Sequence, residues 1–267
     1  MPFLKTFSGK IYYEIHGNSN GTLIVFTHGA GMDHAMFKSQ LLALTRDYKI
    51  LLWDMPGHGN SHPVKEKFTF SSVADKLIML LNQINGGKAV LVGQSLGGYI
   101  AQYTAYHYPE YVKALGVIGC TPLHHRPDSQ DKLVLKMASE VFHSKSGEIF
   151  EENMWNYFAQ QIAITPTAIK YAKESMERVG KNQLSIIFDG LIHETNTGIE
   201  EPPDNPTLIT HGSQEIIGNV WKYAPVWHSK VKNSRYVVIP YAGHNANQDN
   251  PVFFNSTLMS FLSYLEK

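Results

Sequence analysis

The chain has 267 residues, 43% hydrophobic and 17% charged, the composition of a soluble globular protein with length for one large core plus a smaller insertion. Lysine plus arginine and aspartate plus glutamate both number 23, so the formal charge is zero and no electrostatic footprint for nucleic acid or an anionic membrane is present. The single cysteine, Cys120, excludes an internal disulfide framework, and no apolar run approaches the ~20 residues that span a bilayer.

The start of the chain lacks a charged head followed by a long apolar region, so no signal peptide is visible and a cytoplasmic location is expected. Residues 3–7 and 10–16 read as two strands around the turn pair Ser8-Gly9. In the second, Tyr12, Glu14 and His16 alternate with Ile11, Tyr13 and Ile15, which suits a half-exposed antiparallel edge. Residues 22–27 form a buried-strand run ending in His28-Gly29-Ala30-Gly31, followed by an amphipathic helix over 37–44. The strand at 50–53 leads into Asp54-Met55-Pro56-Gly57-His58-Gly59-Asn60-Ser61. Proline fixes φ there and the glycines accept unusual dihedrals. A helix over 71–81 follows, with Ser71 as its expected N-cap.

Residues 89–92 are continuously apolar, as in a strand buried on both faces of a parallel sheet. They run into Gly93-Gln94-Ser95-Leu96-Gly97, and apolar side chains then recur at helical spacing over 99–106. Strand, tight turn and helix are the context that a G-x-S-x-G nucleophile elbow requires. The sharp turn lifts the Ser95 hydroxyl out of the sheet, so the residues two away need minimal side chains. The helix also aims free N–H groups and its positive dipole end at the same point. Another buried strand covers 114–118. Up to here strands and helices alternate, which predicts an α/β fold with a parallel, doubly wound sheet.

From about 122 to 203 helical periodicities replace strand runs, over 131–142, 149–162, 167–179 and 183–193. They are punctuated by Pro122, Pro127, Gly147, Pro166 and Gly180. The expected division is a core at 1–121, a helical cap insertion at 122–203 and the rest of the core at 204–267. The sheet pattern resumes with a strand at 207–210 ending in His211-Gly212-Ser213-Gln214-Glu215. A helix over 220–227, a strand at 235–239 and Pro240-Tyr241-Ala242-Gly243-His244 follow. A last helix over 252–265 sets Phe254, Leu258, Phe261 and Leu265 on one face.

A serine hydroxyl needs a general base and a group that orients the base. His244 follows a late strand and precedes the final helix. Glu215, Asp249, Asp204 and a water are the candidates to orient it. His28 suits a loop-bracing role, and the adjacent His124 and His125 point apart and make a poor metal pair. No H-E-x-x-H, Cys/His cluster or G-x-G-x-x-G is present, so neither metal nor dinucleotide cofactor is expected.

In this order the HG-x-G loop at His28, the D-x-P-G-x-G-x-S loop at Asp54, the elbow at Ser95, the acid loop and the G-H-x-x-x-x-x-x-P stretch at His244 resemble the α/β-hydrolase superfamily. The resemblance implies a mostly parallel sheet with an inserted helical cap, and Ser95, Glu215 and His244 as a triad. It implies the backbone N–H groups of Leu96 and Ala30 as an oxyanion hole. The usual acid pattern is G-x-x-D, so Glu215 departs from it. Ser95 argues against epoxide hydrolases and haloalkane dehalogenases, which normally carry aspartate there. The leading expectation is hydrolysis of an ester or lactone of a small, largely apolar substrate through an acyl-enzyme. Alternatives are carbon–carbon bond cleavage or thioester hydrolysis on the same triad, and a non-catalytic ligand receptor. Phe142, Trp155 and Phe158 of the cap are expected in the pocket wall, the competing role for each being the cap's own core.

Overall fold

Five buried residues in succession make β3 (Leu23–Thr27), and six make each of β5 (Ala89–Gln94) and β7 (Thr207–Gly212). Burial of every side chain in a strand requires cover on both faces of the sheet. With β1 (Phe3–Thr6), β2 (Gly9–Gly17), β4 (Lys49–Trp53), β6 (Val112–Ile118) and β8 (Ser234–Ile239) they form one sheet in the order β1-β2-β4-β3-β5-β6-β7-β8. β1, β2 and β4 pair antiparallel in sequence, and every pairing from β4 to β8 is parallel. The computed structural model describes residues 2–63, 66–125, 129–145, 148–194 and 199–266; Pro127 and Gly147 lie outside them.

The helices provide the cover. α2 (Phe70–Gln83) packs on α3 (Leu96–His107), which lies on β5 and β6. α1 (Lys38–Leu44) packs on α10 (Pro251–Leu265), and α8 (Val220–Lys230) lies on β7 and β8. The α10 residues Phe254, Leu258 and Phe261 are buried as the spacing predicts, with Leu265 half-buried. Between β6 and β7 the chain inserts α4 (Ser129–His143), α5 (Glu148–Ile162), α6 (Pro166–Val179) and α7 (Lys181–Glu194). α4 packs on α7 and α5 on α6, so the insertion is two helix pairs rather than a string of separate turns. No helix among the described residues is long and apolar enough to cross a membrane.

Three local expectations are corrected. β2 is an interior strand, held by β1 on one side and β4 on the other, and its predicted alternation holds only in part: Ile11 and Tyr13 are buried as expected, but so is Tyr12, while Ile15 is 44% exposed. Helix α2 begins at Phe70, and its N-cap is Thr69, whose hydroxyl accepts the Ser72 N–H. The helix at the first crossover opens as a 3₁₀ turn, His34–Phe37, capped by Asp33 through the Ala35 N–H, before α1 takes over at Lys38. A one-turn helix, α9 (Ala246–Asp249), also stands between His244 and α10, too short for a periodicity to show.

Candidate active site

Ser95 directly follows β5 and caps α3 with φ +49° and ψ −114°, a conformation that L-residues avoid. Two glycines make room for it. A Cβ on Gly93 would lie 2.1 Å from the Gly97 carbonyl oxygen, and one on Gly97 would lie 2.1 Å from the Thr27 carbonyl oxygen. The second clash shows that the elbow sits directly against the end of β3, where the His28–Gly31 loop begins. Leu96 is the first residue of α3, so its N–H has no intrahelical acceptor. The turn stays in place because the Ser95 N–H donates to the Ile118 carbonyl at 2.9 Å.

His244 and Glu215 sit at the same edge of the sheet. The His244 Nδ1 lies 2.9 Å from Glu215 Oε2, and both residues are buried. The other carboxylate oxygen accepts the Ile217 N–H at 2.8 Å. Burial pushes the Glu215 carboxyl up, but the charge and hydrogen bond of His244 and the Ile217 N–H outweigh it and hold it below the ordinary value. The Ser95 hydroxyl makes no hydrogen bond among the described residues.

His244 follows β8, three strands away from β5, and two glycines let its loop cross back. A Cβ on Gly212, at the end of β7, would lie 2.1 Å from the Ala242 carbonyl oxygen. At the end of β6, a Cβ on Gly119 would lie 2.9 Å from His244 Nδ1 and 3.0 Å from Glu215 Oε2. Gly119 has φ +58°, so the position excludes a side chain on two grounds. The Gln94 Nε2 donates to the His244 carbonyl at 3.2 Å, and its Oε1 fills the space where Gly29 lacks a Cβ. Gly119 and Gln94 were not legible as site residues. The one available signal was a glycine closing the β6 run.

The rival acids are placed otherwise. Asp204 is exposed and precedes β7, whereas Glu215 follows it, so about 20 Å of strand separates their ends of the sheet. The Asp249 carboxylate accepts the Gly243, Ile164 and Thr165 N–H groups and the Thr165 hydroxyl. His28 braces two loops: its Nδ1–H donates to the Gly29 carbonyl at 2.8 Å and its Nε2 accepts the Met55 N–H at 3.0 Å. Burial pushes its pKa down, consistent with this neutral tautomer. His124 and His125 turn to different rings, Trp227 and Tyr223.

The three cap aromatics meet one another. Phe142 lies 6.2 Å from Trp155, 5.2 Å from Phe158 and 4.9 Å from Phe188, centroid to centroid. Phe142 also borders a cavity of about 1020 Å³ between the end of α4, the α6–α7 corner and His62–Pro63. Ser95, Glu215 and His244 do not line it. The cap side chains that reach the loops of the candidate residues are others. Met176 and Leu184 come within contact of the Cβ position of Gly31, and Ile164 of that of Gly243. Their aliphatic side chains read like ordinary core residues and give no sign of this in the sequence.

Residues 22–138 match the family described as the alpha/beta hydrolase fold. A pimeloyl-[acyl-carrier protein] methyl ester esterase of Chromobacterium violaceum is 30% identical over 201 residues, 74% of this chain and 77% of that protein. The structure of a thermophilic esterase from Thermogutta terrifontis superposes with a TM-score of 0.86 over 100% of both chains at 22% identity. That of an enol-lactonase from Burkholderia xenovorans superposes with a TM-score of 0.83 at 16% identity, over 98% of this chain and 100% of that one. Sheet order, inserted helices, matched residues and the sequence relationship converge: this chain belongs to the α/β-hydrolase fold superfamily.

Proposed function

We propose that the protein is a serine hydrolase of a carboxylic ester or lactone, with Ser95 as nucleophile, His244 as general base and Glu215 as the acid that orients it. The observation that carries this reading is the strained Ser95 at the sheet edge where His244 and Glu215 pair at 2.9 Å. With Nδ1 committed to the carboxylate, Nε2 is the ring nitrogen left to take the serine proton. Hydrogen bonds of catalytic groups often tighten only with substrate in place, which accommodates a serine hydroxyl without a protein partner.

In the first half-reaction Ser95 Oγ bonds to the carbonyl carbon as its proton passes to His244 Nε2. The carbonyl oxygen takes up the electron pair and is held by the Leu96 and Ala30 N–H groups. Collapse of this intermediate breaks the bond to the alcohol oxygen, which leaves with the proton from His244. Water then attacks the acyl-enzyme, giving its proton to the same histidine, and Ser95 is released with that proton restored. The relative named as a methyl ester esterase and the neighbour named as an enol-lactonase support an ester or lactone as the bond class. Met176, Leu184 and Ile164 near the catalytic loops support a largely apolar substrate.

A fluorophosphonate should label the parent on Ser95. Ser95→Ala should abolish labelling and lower kcat on an activated ester by about 10⁴-fold or more, with the fold unchanged. An unlabelled parent would favour a ligand receptor on this fold, and activity within about tenfold in purified Ser95→Ala would remove the serine mechanism. A panel of esters, lactones, thioesters and diketones separates the ester reading from the other reactions open to the same residues.

A further inference from the structure

The carboxylate of Asp249 has four donors, and they come from two parts of the chain. Oδ2 accepts the Gly243 N–H at 2.9 Å, next to the histidine. Oδ1 accepts the Ile164 N–H at 3.0 Å, the Thr165 N–H at 2.9 Å and the Thr165 hydroxyl at 3.0 Å, all at the turn between α5 and α6 of the insertion. On the other side of His244, the Asn245 N–H donates to the Ile162 carbonyl at 2.7 Å. Both sequence neighbours of His244 are thus bonded to one four-residue turn, Gly243 through Asp249 and Asn245 directly. The Ile164 side chain lies over Gly243, 3.2 Å from where a Cβ would stand. A carboxylate collecting several N–H groups at a helix start also complements the positive end of α6.

We infer that the α5–α6 turn is a working part of the histidine's mount, and that Asp249 is the positioning residue that couples them. The insertion is then fixed to the base at this point, and substrate must enter elsewhere than between α6 and the His244 loop. Asp249 acts through the backbone at Gly243 and not on the imidazole, whose Nδ1 is taken by Glu215. The inference rests on the serine-hydrolase reading for its catalytic consequence, while the coupling itself is independent of it.

The test is Asp249→Asn in the full chain, which keeps the volume but sets an amide donor among N–H donors. Expected are complete but slower fluorophosphonate labelling, a kcat on an activated ester lower by about 10- to 100-fold, as for small displacements of catalytic groups, and KM little changed. Amide hydrogen exchange at Gly243, Ile164 and Thr165 should speed up together. Faster exchange at all three amides with kcat and labelling within about threefold of the parent would overturn the positioning role. Unchanged exchange would overturn the coupling. If Asp249→Asn does not fold, Thr165→Ala should lower kcat without moving KM and Thr165→Ser should restore it; equal kcat in all three proteins overturns the inference. A parent that fluorophosphonate does not label removes the catalytic consequence along with the serine reading, whereas a labelled parent with an insensitive Asp249→Asn variant removes this inference alone.

Discussion

Holding Ser95 at φ +49° costs about 1–3 kcal/mol, and the fold sustains it because the groups around it leave no alternative. Gly93 and Gly97 clear the space, and the Ile118 carbonyl fixes the amide. The same economy of side chains at Gly119 lets the imidazole and carboxylate close over the sheet. Glutamate in place of aspartate is accommodated because both of its oxygens are engaged, one by His244 and one by the Ile217 N–H. Glu215→Gln should therefore lower kcat by about 10²- to 10⁴-fold, and Glu215→Asp should retain more activity than Glu215→Gln. Asp204→Asn, at the far end of β7, should be nearly silent. Kinetics of these variants on one ester decide the acid, and Glu215→Gln within about fivefold of the parent would exclude it. The lowered carboxyl of Glu215 also has a sign in stability. Its contribution is present above the ordinary value of 4.5 and is lost as pH falls through its lower folded value. Melting temperature should accordingly fall more steeply on the acid side in the parent than in Glu215→Gln.

At the level of elements, the insertion separates two roles that its sequence presents alike. Phe142 and Trp155 are buried among rings and hold α4, α5 and α7 together, whereas Met176 of α6 and Leu184 of α7 lie over Gly31 beside the proposed oxyanion donor. Phe142→Ala should cost about 3–5 kcal/mol of stability through the cavity it opens. Met176→Ala, which also removes a buried side chain, should in addition shift acyl chain-length preference by about 1–3 kcal/mol in kcat/KM, a shift that Phe142→Ala should not make. Thermal melts and a chain-length series on the two variants check this. The reverse pattern, with Phe142→Ala changing preference and Met176→Ala leaving it unchanged, would reassign the wall of the pocket to the rings.

Across the whole molecule, buried carboxylates tie together the edge of the sheet that carries the candidate site. Asp33, next to the His28–Gly31 loop, accepts the Tyr171 hydroxyl at 2.8 Å and the Arg178 guanidinium at 2.9 Å, both from α6. Burial pushes Asp33 up, and these two hydrogen bonds outweigh it and hold it below the ordinary value. Helix α6 is thus anchored near its start through Asp249 and along its length through Asp33. Asp54, fully buried, accepts the His34 N–H and Nδ1–H at 2.7 Å each and the Asn60 N–H at 2.8 Å. Burial lowers the His34 pKa, but Asp54, Asp33 and Glu14 outweigh it and hold it above 6.5. A raised folded value means that the stabilisation is present below the unfolded value and is lost as pH rises through the folded one. Melting temperature should drop across that window in the parent and stay flatter in His34→Gln; equal slopes would remove His34 as the cause.

The sequence by itself determined the α/β class, the position of the inserted helices and the candidates Ser95, His244 and Glu215. Each of these is a local matter: an unbroken apolar run marks a doubly covered strand, and glycines two residues from a serine mark a tight turn. It did not determine the burial along β2, because which strands flank β2 depends on pairing with β4, more than thirty residues away. Only the tertiary structure shows which carboxylate meets the His244 imidazole, since Glu215, Asp249 and Asp204 all lie near the late strands in sequence and differ in the sheet end and donors that meet them. Only the tertiary structure, too, separated the rings that hold the insertion together from the residues that face the loops of the candidate site. Aromatic content reports how much a helix buries, whereas the neighbour it buries against is set by how α6 and α7 dock on Gly31.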